Sequence, residues 1–256
     1  MAARRVPTMT AFVLALALVS GVLIGCIGIG GVLLVPSLSL AGVPVHDAIA
    51  ASMLCYVFAG GIAVWIFARE GSIDWGSAGW LSAGAMPGAF AGAVLANAVR
   101  GEVLIFLIAL AVLFSGVRSL RGVRAEVAEH RVLGPLPLAG IGAAVGLGSA
   151  LTGTGGPVLL VPLLMWFRLP VLFVVGLSQA VQVPIALLAT LGNLLYGRVG
   201  LELAALLSIG VLAGAAVGAR IAHALPRSTL TRLVGVVLLI VGAMLIYRTR
   251  HWAFAD

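Results

Sequence analysis

The chain has 256 residues, of which 9% are charged and 62% hydrophobic, and its mean hydropathy is +1.22. Soluble domains carry about 25% charge. This much apolar surface needs lipid as its solvent, which excludes a soluble enzyme, a nucleic-acid-binding domain and a disordered chain. The net charge of +7 comes from fifteen arginines and no lysine. Most of them fall between apolar runs, as the positive-inside rule places them, and they form no basic patch.

Arg4 and Arg5 precede an apolar stretch that imitates a signal peptide. The stretch continues to Ala41, well past an h-region of about 7–15 residues, so it is read as a retained first span. Eight apolar segments follow one another at 10–41, 48–68, 76–99, 102–120, 136–167, 169–195, 201–225 and 229–247. A spanning helix needs about 20 residues. The first and fifth segments are too long for one straight crossing, and both are interrupted by glycines, at Gly25–Gly31 and Gly153–Gly156. The expected architecture is all-α and polytopic. It has about eight transmembrane segments in two homologous four-segment repeats, each with a Gly-broken first segment. The boundaries are 1–121 for the first repeat, 122–134 for a basic cytoplasmic linker and 135–256 for the second repeat. The expected location is a multi-pass position in the cell inner membrane.

The repeat rests on one register. Gly-Val-Leu-Leu-Val-Pro at 31–36 matches Pro-Val-Leu-Leu-Val-Pro at 157–162, a shift of 126. The same shift takes Gly30 to Gly156, Pro44 to Pro170, Ser52 to Ser178, Gly71 to Gly197 and Gly116 to Gly242. Internal duplication is characteristic of secondary transporters, whose substrate site lies at the repeat interface near the midplane. Parity is left open. Eight full crossings make the repeats parallel and put ten arginines inside against five outside. Broken segments that cross and dip back make the repeats inverted, with nine inside and six outside. The arginine count prefers the first only weakly.

The glycine breaks are the first candidate site. Irregular backbone in lipid is tolerated only where it is buried in protein or lines a cavity. Gly28, Gly30 and Gly31 remove side chains over one turn, and Pro36 removes a donor. Thr152, Gly153, Thr154, Gly155, Gly156 and Pro157 do the same in the second half and add two hydroxyls. Pro157 suits the first position of a new half-helix, whose free N–H groups and positive dipole end favour an anion. The plainer use of these glycines is close packing or a kink. Gly84, Gly88 and Gly92, with Gly210, Gly214 and Gly218, are read as packing seams, because glycines four apart let helices approach closely.

Segment six carries a polar stripe of Ser178, Gln179, Gln182, Thr190 and Asn193. An amide in hydrocarbon needs partners, so this face should point inward, either lining a pathway or gluing helices together. The matching first-half positions are Ser52, Met53, Tyr56, Val64 and Phe67. No acidic residue falls clearly mid-membrane. Arg220 and His223 lie near a segment end and read as interfacial anchors. Cys26 and Cys55 lie in apolar runs without a C-x-x-C and read as small buried hydrophobes. Metal-ligand spacing, a nucleophilic triad and a P-loop are absent from the sequence, so no cofactor and no enzyme activity is expected. The alternative kept open is a membrane-embedded sulfur-relay protein or enzyme using Cys26 or Cys55.

Three stretches carry a family resemblance: Ser20–Pro36 with its Gly-x-Gly-Gly…Val-Pro element, Gly42–Ala50, and Gly214–Arg220 followed by Leu225-Pro226. They resemble the TauE/SafE sulfite-exporter family of membrane permeases over nearly the whole chain. The second half departs from the family pattern, with Thr-Gly-Thr-Gly-Gly-Pro in place of a glycine-only version. The resemblance implies a permease for sulfite, sulfonates or related small organosulfur anions. With it, the candidate substrate-binding set is Gly28, Gly30, Gly31, Ser52, Thr152, Thr154, Gly155, Gly156, Ser178, Gln179, Gln182 and Asn193. The expected partners are a small organosulfur or sulfur oxyanion and the lipid bilayer, with a proton or sodium as candidate coupling ion and no nucleic acid. The sequence leaves the exact substrate, the direction of transport and the oligomeric state open.

Overall fold

A computed structural model describes residues 5–28, 30–71, 73–121, 133–166, 171–197, 199–221 and scattered positions between 229 and 247. Most of the linker (122–132), the side chain of Arg220, and His223 lie outside the described residues. The elements are α1 (Arg5–Ile27), a 3-10 turn (Gly30–Leu33), α2 (Leu34–Leu40), α3 (Val45–Arg69), α4 (Trp75–Ala98), α5 (Gly101–Arg121), α6 (Pro135–Thr152), α7 (Pro157–Trp166), α8 (Val171–Tyr196) and α9 (Leu201–Ile221). Among the described residues there is no strand. The protein is an all-α polytopic membrane protein. Five helices, α3, α4, α6, α8 and α9, carry a stretch long and apolar enough to cross a membrane. Shorter apolar helices cover Thr10–Cys26, Gly30–Leu40 and Val103–Phe114. α8 starts 126 residues after α3, and α9 starts 126 residues after α4.

Both overlong segments break at their glycines. α1 stops at Ile27 and Gly28 takes φ 77°. α6 stops at Thr152, and Gly153, Gly155 and Gly156 take φ 70°, 83° and 102° before α7 starts on Pro157. In this left-handed region a Cβ crowds the following carbonyl, so glycine turns here at the least cost. Pro157 sits at the first helical position, where a missing N–H is no loss.

At each break the chain doubles back. Gly30 lies against the α1 backbone at Ser20 and Ile24, and Gly148 of α6 faces Leu159 of α7. The returning arm then pairs antiparallel with the next helix. Gly31 is level with Tyr56, and Val35 and Ile49 both meet Gly153. Across the 167–170 connection, Gly156 is level with Gln182 and Ile185.

Two glycine seams fix the remaining directions. A Cβ on Gly84, Gly88 or Gly92 would fall on the carbonyl of Ala139, Ala143 or Leu147 in turn, so α4 and α6 run parallel with their backbones touching. Gly214 and Gly218 meet the Leu18 and Val22 carbonyls, so α9 and α1 also run parallel. Such contact is possible only without side chains in the seam. With a reversal at each short turn, α1, α3, α5 and α9 point one way, and α4, α6 and α8 the other. α1 and α6 are therefore opposed, whereas eight straight crossings would make them parallel. Near the chain's end the contacts are reciprocal. Gly116 of α5 meets Leu239, and Gly242 meets Leu113, each residue being matched to its counterpart by the same shift of 126.

Aromatic and basic side chains gather at the α3–α4 turn. Trp65 and Trp75 are exposed there, and the Arg69 guanidinium stacks 4.0 Å over the Trp65 ring, as aromatic belts and interfacial arginines do. Asp74 caps α4 by accepting from the N–H groups of Gly76 and Ser77. Hydrogen bonding to Ser77 holds its carboxyl below the usual carboxylate range. A lowered pKa means that the cap is fully formed above the ordinary carboxylate pKa and fades as pH falls through the lowered value. Asp74→Ala should cost about 1 kcal/mol, read as a small drop in the thermal midpoint of the detergent-solubilised protein at neutral pH. That drop should shrink at acid pH.

Candidate substrate site

The two breaks lie against each other. A Cβ on Gly31 would sit 3.0 Å from the Thr154 carbonyl oxygen, and one on Gly28 would sit 3.6 Å from the Pro157 side chain. Gly155 packs on the Tyr56 ring. α8 closes the cluster with Ser178 and Gln179 beside Gly28, and Gln182 beside Gly60 of α3. Thus Gly28, Gly31, Thr154, Gly155, Gly156, Ser178, Gln179 and Gln182 come together, all of them buried. Their side chains and backbone are uncharged.

Other expected members stand elsewhere. Gly30 faces the α1 backbone, so its missing side chain permits the hairpin and does not open the cluster. Asn193 lies three turns along α8 from Gln182, where its Oδ1 accepts from Asn97 Nδ2 at 3.1 Å. Ser52 is buried on α3, one turn before Tyr56. Thr152 reaches the cluster only through Thr154, with 3.0 Å between their hydroxyls.

The hydroxyl protons are committed internally. Thr152 Oγ1 donates to the Gly148 carbonyl at 2.7 Å, which leaves Thr154 as donor in the Thr152–Thr154 pair. Ser178 Oγ donates to the Val175 carbonyl at 2.8 Å. Both are the local back-bonding that Ser and Thr make inside helices. The hydroxyls of Thr152, Thr154 and Ser178 therefore offer no free proton. Thr154 N–H is bound to the Ser149 carbonyl. Among the described residues, the N–H groups of Gly155, Gly156 and Val158 donate to no carbonyl. They sit where the positive end of the ten-residue α7 begins.

The amides are oriented by what they bind. Gln179 Nε2 donates to the Ile24 carbonyl at 3.3 Å, near the open end of α1. Gln182 Nε2 approaches the Tyr56 carbonyl at 3.5 Å. Tyr56 Oη donates to the Gly31 carbonyl at 2.6 Å and is fully buried. Tyr56 was not among the sequence candidates. Its signal was the repeat register, which pairs it with Gln182. The stripe Ser178, Gln179, Gln182, Thr190 and Asn193 is buried throughout, as an inward polar face requires.

Both cysteines are buried thiols held by backbone. Cys26 Sγ donates to the Gly218 carbonyl at 2.9 Å, and Cys55 Sγ to the Ser52 carbonyl at 3.1 Å. Among the described residues no cluster of His, Cys, Asp or Glu has metal-binding composition.

The sulfite exporter TauE/SafE family profile matches residues 13–245, which takes in both breaks and every residue of the cluster. The chain belongs to the sulfite exporter TauE/SafE family. It is 26% identical over 235 residues to the probable membrane transporter protein YdhB of Bacillus subtilis (strain 168), covering 89% of this chain and 96% of that protein. No solved structure matches the chain. The family is described as one of sulfite exporters, and this relative is named as a probable membrane transporter.

Gln182→Leu is expected to lower flux per folded molecule about tenfold, because the Tyr56 carbonyl loses its buried amide partner. Folded yield should fall less. Unchanged flux per folded molecule would make Gln182 packing glue only.

Proposed function

We propose that the protein is a secondary permease that moves a small sulfur oxyanion, sulfite or an organosulfonate, through the cluster where the two breaks meet. One observation carries the reading: two glycine-broken hairpins abut inside the protein and are closed by a polar face of α8. Broken helices meeting at a repeat interface are how secondary transporters build substrate sites. The second break supplies unengaged N–H groups at a helix start, a setting that favours an oxyanion. An uncharged site holds its anion weakly enough to release it, and it avoids the cost of a cation in hydrocarbon.

In this reading the halves are inverted repeats. α1–α2 and α6–α7 enter from opposite faces of the membrane and return to them, while α3, α4 and α5 of the first half and α8 and α9 of the second cross. The linker then lies on the cytoplasmic face with nine arginines, and the termini lie on the other face. The family name supplies the sulfur anion class, and the coupling ion is a proton or sodium. The reading is tested in proteoliposomes by an uptake screen of sulfite, thiosulfate, sulfonates and small carboxylates. Protein-dependent flux of a sulfur oxyanion is the expected result. Flux that vanishes when Cys26 and Cys55 are replaced by serine would favour a sulfur-relay protein instead.

A further inference from the structure

The backbone donors of α7 explain how an anion is attracted, but they do not explain Gln179. Its Nε2 is bound to the Ile24 carbonyl, which fixes the orientation of the amide. Its Oε1 is buried with no hydrogen-bond partner, and the residue has no exposed surface. An unpaired acceptor inside a protein is costly, and it repels a bare anion. The amide lies at the break, its Nε2 3.0 Å from where a Cβ on Gly28 would sit, and Gly28 itself faces the Pro157 side chain at the start of α7.

We propose that Gln179 Oε1 reads a proton donor carried by the anion, so that the site selects a protonated monoanion, hydrogen sulfite, over sulfite dianion and over a sulfonate that has no donor. The inference rests on the permease reading above. The N–H groups of Gly155, Gly156 and Val158 take the oxygens that bear charge, and Gln179 accepts the hydroxyl proton. The monoanion also suits an uncharged, buried cluster, since a second charge would have no counter-charge. A site built to bind a substrate hydroxyl rejects the analogue lacking it, because its own buried group is left unpaired.

The test uses purified full-length protein in vesicles and two anions of equal charge. Hydrogen sulfite, supplied below neutral pH, carries the donor, and methanesulfonate lacks it. The readout is the ratio of their fluxes, which does not depend on folded yield. The wild-type ratio should be about ten or more, and Gln179→Met should bring it close to one. As pH rises through the range where hydrogen sulfite loses its proton, wild-type flux of the sulfur(IV) anion should fall with the monoanion fraction. Methanesulfonate flux should stay level. A wild-type ratio near one, or a high ratio that survives Gln179→Met, would overturn the proposal. So would a sodium requirement for both anions that Gln179→Met abolishes, since the amide would then hold a cation. Absence of flux for every anion would refute the permease reading itself and thereby remove the basis of this one.

Discussion

Gly84→Val is expected to eliminate most folded protein. The new Cβ would overlap the Ala139 carbonyl, and that carbonyl belongs to a helix backbone that cannot rotate away as a side chain can. α4 and α6 would have to separate, and the same seam holds Gly88 and Gly92. Overpacking of this kind costs about 3 kcal/mol or more, a large share of a total stability of about 5–15 kcal/mol. Gly79→Val, on the same helix with open space beside it, is the control and should stay close to wild type. Monodisperse yield from detergent and the thermal midpoint check both.

Gly156→Leu is expected to reduce anion flux at least a hundredfold. Gly156 has φ 102°, and a Cβ there would meet Ile185 Cδ1 at 3.1 Å. Leucine would drive the backbone out of this conformation, a strain of about 1–3 kcal/mol, and would turn the N–H groups at the start of α7 away. Arg220→Gln should leave much of the flux, because the cluster contains no side-chain cation. Flux normalised to folded protein decides between them. Wild-type flux in Gly156→Leu, or complete loss in Arg220→Gln alone, would place the anion on a cation. Gly30→Leu should behave differently from Gly156→Leu. Gly30 faces the α1 backbone, so its replacement should lose folded protein.

Several of these features were legible in the residues. Overlong apolar segments with glycine runs located both breaks, and glycines four apart located both seams. Lipid as solvent forced the amides of α8 inward. The direction of the chain after each break was not legible. Glycine permits either sign of φ, so Gly28 reads equally as a kink in one crossing or as a turn between two arms. The arginine count even leaned toward straight crossings. Tyr56 was hidden because a tyrosine in an apolar run looks like core until its hydroxyl is seen on the Gly31 carbonyl. Thr152, Thr154 and Ser178 looked like free donors because a sequence does not show which hydroxyls are spent on their own helix. Asn193 shares the α8 face with Gln182, but a shared face is not a shared site when three turns separate the residues.

The central claim is that this chain alone carries a small sulfur oxyanion across a membrane. Its most direct test is the uptake of radiolabelled sulfite into proteoliposomes holding only the purified protein, compared with protein-free vesicles. Uptake should be protein-dependent and should saturate with sulfite concentration. Uptake no faster than in protein-free vesicles, with the protein shown to be folded and inserted, would contradict it.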